Sequence, residues 1–201
     1  MLILDHLVVS AETVAAGQSH CEAVLGQPMQ TGGEHQLFQT HNALIGMGDI
    51  YLEAISRMPD AKVLERKRWY DLDRFSGAPR LTNWACRTDD LDGALEVLGA
   101  GYGAPVAVTR GSLAWRMAVP ASGILPFDNC APALLQWDTP PPTAGFVDRG
   151  CRLASLTVQH PDAGDLARDL SGVFSDPRVT YAEGPAALIA RIDTPGGQVT
   201  L

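Results

Sequence analysis

Apolar residues recur at every second position in short runs of this chain, and at helical spacing in the stretches between some of them. The first run, ILDHLVVS, reads as a strand with Leu4, His6, Val8 and Ser10 on one face and Asp5, Leu7 and Val9 on the other. A helical stretch follows, in which Val14, Cys21 and Val24 or Leu25 lie near one face. Three more strands are predicted after it: HQLFQT, HNALIGMG and IYLEAI. In the last of these Ile50, Leu52 and Ala54 face one way and Tyr51, Glu53 and Ile55 the other. A mid-strand carboxylate between bulky residues is unfavourable unless it has a partner or points at water from an edge strand.

This strand–helix–three-strand plan recurs. RLTNWACRTDDLDGALEVLGAG opens a second unit, with Asp89 or Asp90 as the helix N-cap and glycine at its end. Its strands are PVAVTRG, SLAWRMAVP and ALLQWDT. RLASLTVQHPDAGDLARDLSGV opens a third, with Pro161 suited to a first helical turn, followed by RVTYAEG, ALIARID and QVTL. The expected organisation is a first βαβββ unit with a helical linker over residues 1–78, a second over 79–142 and a third over 150–201. The linker helix is placed around VLERKRWYDLDRF, and TPPPTAG forms a stiff joint before the third unit. The insertion ASGILPFDNCAP, before the last strand of unit two, is expected to lie over a pocket. Alignment of the first strands puts His6, Asn83 and Ser155 at equivalent positions, and alignment of the last strands puts Gln136 opposite Glu53.

Composition adds limits. A chain of 201 residues with 46% hydrophobic and 19% charged residues can bury a substantial core as a globular protein. Its formal charge of −8 argues against a nucleic-acid partner, because phosphate binding needs clustered Lys and Arg. No apolar run approaches the length of a membrane span and MLIL is interrupted by Asp5 and His6, so a cytoplasmic protein is expected. Cys21, Cys86, Cys130 and Cys151 show no CxxC spacing and read as buried small hydrophobes. No GxSxG, P-loop, GxGxxG or HExxH motif occurs.

The stretch TGGEHQLFQTHNALIGMGDIYLEAI gathers His35, His41 and Glu53, side chains able to meet a metal or a substrate. Imidazole and carboxylate suit Zn²⁺, Fe²⁺, Mn²⁺, Co²⁺ and Ni²⁺. His35 is equally read as a loop-edge histidine bonding backbone beside Gly32 and Gly33. In unit two, Trp84, Trp115 and Trp137 lie near Arg110 and Arg116. At least one of these tryptophans is core filler, whereas an Arg–Trp lining suits a carboxylate-bearing small molecule.

Tandem βαβββ units with polar residues on first and last strands resemble the vicinal oxygen chelate superfamily, and more narrowly its bacterial glyoxalase-like domain family. The matching pieces are LDHLVV, GGEHQLFQTHNAL, YLEAI, GSLAWRMAVP, LPFDNCAPALLQWD, VQHP and IDTPGGQVTL, in the family's order along the chain. The resemblance implies an α+β fold: two paired units forming cupped mixed sheets, helices outside, with a third C-terminal unit. In metal-dependent relatives the first strand of each unit supplies a His and the last a Glu. Unit one matches at His6 and Glu53, while unit two departs with Asn83 and Gln136.

His6 and Glu53 are therefore expected as pocket neighbours. A metal set of His6, His41 and Glu53, with His35 as a further ligand, would leave room for a bidentate substrate. Glu53 and His41 are the candidate catalytic groups, and Asn83, Arg110, Trp115, Arg116 and Gln136 the candidate substrate-binding ones. Three functions stay open at this stage. One is a metal-dependent enzyme (isomerase, lyase, hydrolase or dioxygenase) acting on a small oxygenated, carboxylate-bearing substrate. The second is a metal-free protein that sequesters a small molecule, as antibiotic- and bleomycin-resistance relatives do. The third is a homodimerising scaffold.

Overall fold

The computed structural model describes residues 1–201. It contains twelve strands and three α-helices. The first unit comprises β1 (Ile3–Ser10), α1 (Val14–Leu25), β2 (Gln30–His35), β3 (Thr40–Met47) and β4 (Ile50–Arg57). The second comprises β5 (Arg80–Arg87), α2 (Leu91–Leu98), β6 (Ala104–Arg110), β7 (Leu113–Val119) and β8 (Ala133–Trp137). The third comprises β9 (Arg152–Gln159), α3 (Ala163–Leu170), β10 (Val179–Ala182), β11 (Ala187–Thr194) and β12 (Gly197–Thr200).

The first two units share one eight-stranded sheet of order β2-β3-β4-β1-β5-β8-β7-β6. They join where β1 runs antiparallel to β5, and each unit closes by a parallel pairing, β1 with β4 and β5 with β8. The sheet is curled until its two edge strands approach each other, and Arg110 at the end of β6 packs against Gly33 of β2. This α+β architecture of cupped mixed sheets is the one the resemblance implies.

Helix signals act as expected at two of the three helices. Thr13 caps α1 by accepting from the Ala16 amide, and Gly26 ends it in the left-handed region. Asp90 accepts from the Gly93 amide at the start of α2. Helix α1 lies outside the cup, with Cys21 and Leu25 buried and Gly17 set so closely on Ala11 and Ala54 that a Cβ would collide. In α3, Ala163, Leu166 and Leu170 form the buried stripe.

Three local expectations are corrected. HQLFQT is not a strand: β2 is the preceding QTGGEH, and Gln36–Gln39 is a turn. Phe38 in that turn is fully buried and stacks on Trp69, so its apolar signal reports core packing rather than pleating. The linker holds no α-helix, only a 3-10 turn at Trp69–Asp71. Buried Arg68 holds the linker in an irregular path by donating to the carbonyls of Phe38 and Lys62 and pairing with Asp73. The third unit keeps the element order but not the pairing: its sheet runs β10-β9-β11-β12, with β9 parallel to β10. That sheet packs on the outside of the β1–β5 seam, where Trp84 meets Phe174 edge-on.

All four cysteines are free and buried, and burial pushes their thiols up, that of Cys21 to about 12. No helix is long and apolar enough to cross a membrane.

Candidate active site

A β-bulge in β1 builds the centre of the cup. Leu4 pairs with Cys86 and His6 with Ala85, so Asp5 is the extra residue, opposed by nothing on β5. Strict alternation assigns Asp5 and His6 to opposite faces. The bulge instead lets the Asp5 carboxylate reach its neighbour, with Asp5 Oδ1 2.7 Å from His6 Nδ1. Asp5 Oδ2 accepts from Trp137 Nε1 at 3.1 Å and from Arg87 at 3.3 Å. Burial opposes ionisation of Asp5, but its bond to and charge attraction by His6, the Trp137 N–H and the Arg87 charge hold the carboxyl below its ordinary value. An ionised Asp5 accepts from a proton-bearing Nδ1, so that Nε2 is the ring nitrogen that faces the cup.

Around Nε2 stand the Tyr70 hydroxyl at 3.2 Å and Glu53 Oε2 at 3.7 Å. The imidazole stacks on Tyr51 with ring centres 4.5 Å apart. Both tyrosines stay protonated, because burial and the nearby carboxylates push their phenols well above the ordinary value.

Glu53 is held from its other side. Asn42, two strands away from β1 on the same face, donates to Glu53 Oε1. Its own Oδ1 accepts from the Gly33 amide at 2.9 Å and from Arg110 Nη1 at 3.0 Å. The two glycines of TGGEH make this possible. A Cβ on Gly32 would overlap the Asn42 amide, and one on Gly33 would crowd the Arg110 side chain. We expect Gly32→Ala to lower unfolding stability in urea by about 1–3 kcal/mol, the range for stranding buried polar partners. Gly33→Ala should have the smaller effect, since the flexible Arg110 stem can move aside.

His35 closes the rim, with Nδ1 3.0 Å from Thr40 Oγ1 and its ring edge-on to Trp69 and Trp115. Burial first, then the Arg110, His41 and His6 charges, pushes its pKa down to about 3, so it is neutral near pH 7. The indole N–H of Trp69 is buried without a partner. His6, His35, Tyr51, Glu53, Tyr70 and Arg110, with aromatic and aliphatic neighbours, enclose a cavity of about 20 Å³. That is room for about one water molecule or ion.

The structure thus brings His6, His35, Glu53, Arg110 and Trp115 around one cavity. Others in the sequence-derived set lie elsewhere. His41 pairs in register with Ser56 and projects to the opposite face, beside Glu12 and Arg57, because it alternates with Thr40 and Asn42. Arg116 and Gln136 also face outward. Arg116 donates to Gln136 and Asp92, and Gln136 accepts from the Leu91 amide, tying the start of α2 to the sheet. Asn83 is on the cup face but does not line the cavity, and its buried amide has no partner. Trp84 is core filler under the third sheet. His160 accepts from the Asp162 amide at the start of α3.

Sequence reasoning missed Asp5, Asn42, Tyr51, Trp69 and Tyr70. Two consecutive polar residues inside the otherwise apolar LILDHLVV mark the place, but not the bulge that brings both side chains together. Asn42 shares the parity of Leu44, which stands opposite Glu53. Tyr70 left no periodic trace, being in an irregular segment with a left-handed backbone.

No group of three or more His, Cys, Asp or Glu side chains is placed to hold a metal. A divalent ion at this centre would have His6 Nε2 and Glu53 Oε2 as its protein donors, with the Tyr70 hydroxyl beside them. The Asp5 carboxylate behind Nδ1 is the support that metal-bound imidazoles use. These two donors leave the rest of such an ion's shell to water or substrate oxygens.

No curated protein sequence matches the chain. Among solved structures, a hypothetical protein from Staphylococcus aureus superposes with a TM-score of 0.63 at 12% identity, over 100% of this chain and 84% of that one. A 4-hydroxymandelate synthase mutant from Streptomyces coelicolor gives 0.52 at 14% identity, over 100% of this chain and 63% of that one. Methylmalonyl-CoA epimerase from Mycobacterium tuberculosis gives 0.42 at 19% identity, over 71% and 91%. The first two are likenesses of fold. The model of the glyoxalase-like domain matches residues 4–174, a span that holds the curled sheet and every residue lining the buried cavity, and the chain therefore belongs to the glyoxalase-like domain family.

Proposed function

We propose that the chain is an enzyme that moves a proton on a small, oxygen-rich and anionic substrate at the His6–Glu53 centre. The observation that carries this reading is the pair itself: an imidazole nitrogen and a carboxylate oxygen 3.7 Å apart, each backed by a buried partner of its own. Buried ionisable pairs so arranged gather at functional sites. Glu53 is the proton acceptor, steadied by Asn42. His6, fixed by Asp5, presents Nε2 to the same space. Arg110 is the group for a carboxylate or developing oxyanion, and Tyr70 is a neutral donor for a second oxygen. The aromatic walls exclude water and strengthen each of these interactions.

The carboxylate–imidazole–open-nitrogen arrangement favours a second reading of the same centre, in which a divalent metal is held by His6 and Glu53. When bound, such an ion supplies Lewis-acid polarisation of a substrate oxygen. Against both stands sequestration without catalysis, for which the cup would need only shape and charge.

A panel of small 2-oxo and 2-hydroxy acids incubated with the protein in D₂O, followed by loss of the C–H proton signal, tests proton transfer directly. We expect exchange by the wild type and a loss of about 10²–10⁴-fold in Glu53→Gln, the usual worth of a positioned acid–base group. Elemental analysis of untagged protein, wild type and His6→Ala, assigns or removes the metal. Exchange that survives Glu53→Gln would sink the reading. A wild type that binds panel members but exchanges none would establish sequestration instead.

A further inference from the structure

A second cavity of about 600 Å³ adjoins the buried one, and Tyr70 lines both. Its other walls come from the linker (Asp71, Arg74, Phe75), the start of β5 (Arg80, Leu81), the insertion (Asp128, Asn129) and the third unit (Ala186–Leu188, Leu201). The small cavity admits about one water, whereas the large one has the volume typical of a small-molecule site. The reacting groups and the space for a substrate are therefore in different places, and Tyr70 is the lining residue the two cavities share.

Two observations single out that shared wall. Tyr70 and Asp71 both have left-handed backbone, φ 56° and 53°, which L side chains rarely adopt, and Asp128 and Asn129 across the cavity do too, at 52° and 70°. The Asp71 amide bonds the Gly123 carbonyl, so the linker and the insertion are held together in these conformations. Asn83 pairs with Val8 on the cup face of β5, two residues from Ala85, which pairs with His6; a register shift follows, and Leu81 beyond it, paired with Val9, lines the large cavity. Both polar atoms of its fully buried amide are unpartnered. A fully buried amide with both polar atoms unpartnered is uncommon in a folded protein and calls for a partner.

The geometry points to one bipartite substrate site: the body of the substrate occupies the large cavity, and its reacting end reaches His6 and Glu53 past a displaced Tyr70, with Asn83 bonding the portion in between. The ligand class follows from the walls. Phe75, Leu81, Leu188 and Leu201 suit an apolar body. Of the two arginines, Arg74 is neutralised by Asp71, while Arg80 stacks on Phe75 and donates only to carbonyls, so its charge is free for an anionic substituent. Asp128, the facing acid, is 3.5 Å from His160. The inference rests on the proposed role of the His6–Glu53 centre and adds where the rest of its substrate lies.

The probe is 8-anilino-1-naphthalenesulfonate, an apolar anion of suitable size, titrated into the full chain carrying ¹⁵N-labelled histidine. Its fluorescence should saturate at one molecule per chain, and the His6 ring resonances should move as Tyr70 leaves Nε2. Ala186→Trp, an exposed wall position, and Leu188→Trp both fill the cavity and should weaken binding by about tenfold or more. Tyr70→Phe should still bind the dye, with the His6 resonances already shifted. Unchanged affinity in both tryptophan variants, or bound dye that leaves the His6 resonances in place, overturns the proposal. The dye carries no acidic C–H, so a failure of the catalytic reading would appear in the exchange assay and not here.

Discussion

Asp5→Ala is expected to lower the free energy of unfolding by about 3–5 kcal/mol, the usual consequence of removing one partner from a buried charged cluster. The carboxylate is fully buried and is the acceptor for His6 Nδ1, Trp137 Nε1 and one Arg87 nitrogen. Alanine leaves these donors facing a void at the bulge. Asp5→Asn separates stability from chemistry. Asparagine keeps the volume and one acceptor oxygen, but its amide donates, so His6 must accept at Nδ1 and carry its proton on Nε2, toward Glu53. Urea unfolding should therefore show a much smaller loss for the asparagine variant, while histidine ¹⁵N shifts report the exchanged tautomer. A tautomer unchanged by Asp5→Asn would show that Asp5 does not orient the imidazole.

Acid should destabilise the protein well before its carboxylates titrate. The His35 pKa falls from 6.5 to about 3 on folding, by burial and the nearby positive groups. The unfolded chain then binds one more proton than the native one between those values, so stability rises with pH across that window and is lost as pH falls through it. At 1.36 kcal/mol per unit the full loss is roughly 5 kcal/mol, most of it between about pH 6.5 and 4. Asp5, whose folded carboxyl is also lowered, adds a loss of the same sign below the ordinary aspartate value of 3.8. His35→Gln keeps a polar partner for Thr40 without a proton to gain, and should flatten the limb between pH 6.5 and 4. Urea midpoints measured across this range for both proteins decide the matter. Parallel curves would mean that His35 is not the group responsible.

The residues of the buried centre divide by how far alternation carries. Glu53 and Tyr51 share a face in the sequence pattern and in the structure, because β4 is regular and period two holds along all of it. His6 lies on the cup face for the same reason, counted from its C-terminal side. Alternation misplaces Asp5, since a bulge is one unpaired residue and leaves the hydrophobic pattern on either side intact. His41 looked like a third ligand because its chemistry is right, but its neighbours Thr40 and Asn42 take the inner face. Gln136 follows from the repeat alignment and Arg116 from its nearness to the tryptophans of unit two, but both face outward, and a repeat in sequence need not keep the parity of its last strand.

What the sequence by itself determined was the α+β class, the repeated strand–helix–three-strand order, the family resemblance and the side chains most able to do chemistry. These depend on local periodicity, capping and residue type, which act over a few neighbours. Only the tertiary structure decided the bulge at Asp5, the closing of the curled sheet that brings Arg110 to Asn42, the irregular linker that delivers Tyr70, and the cavity behind it. Each arises from contacts between segments far apart in the chain. Their geometry is set by sheet curvature and side-chain packing, which no local pattern of apolar and polar positions encodes.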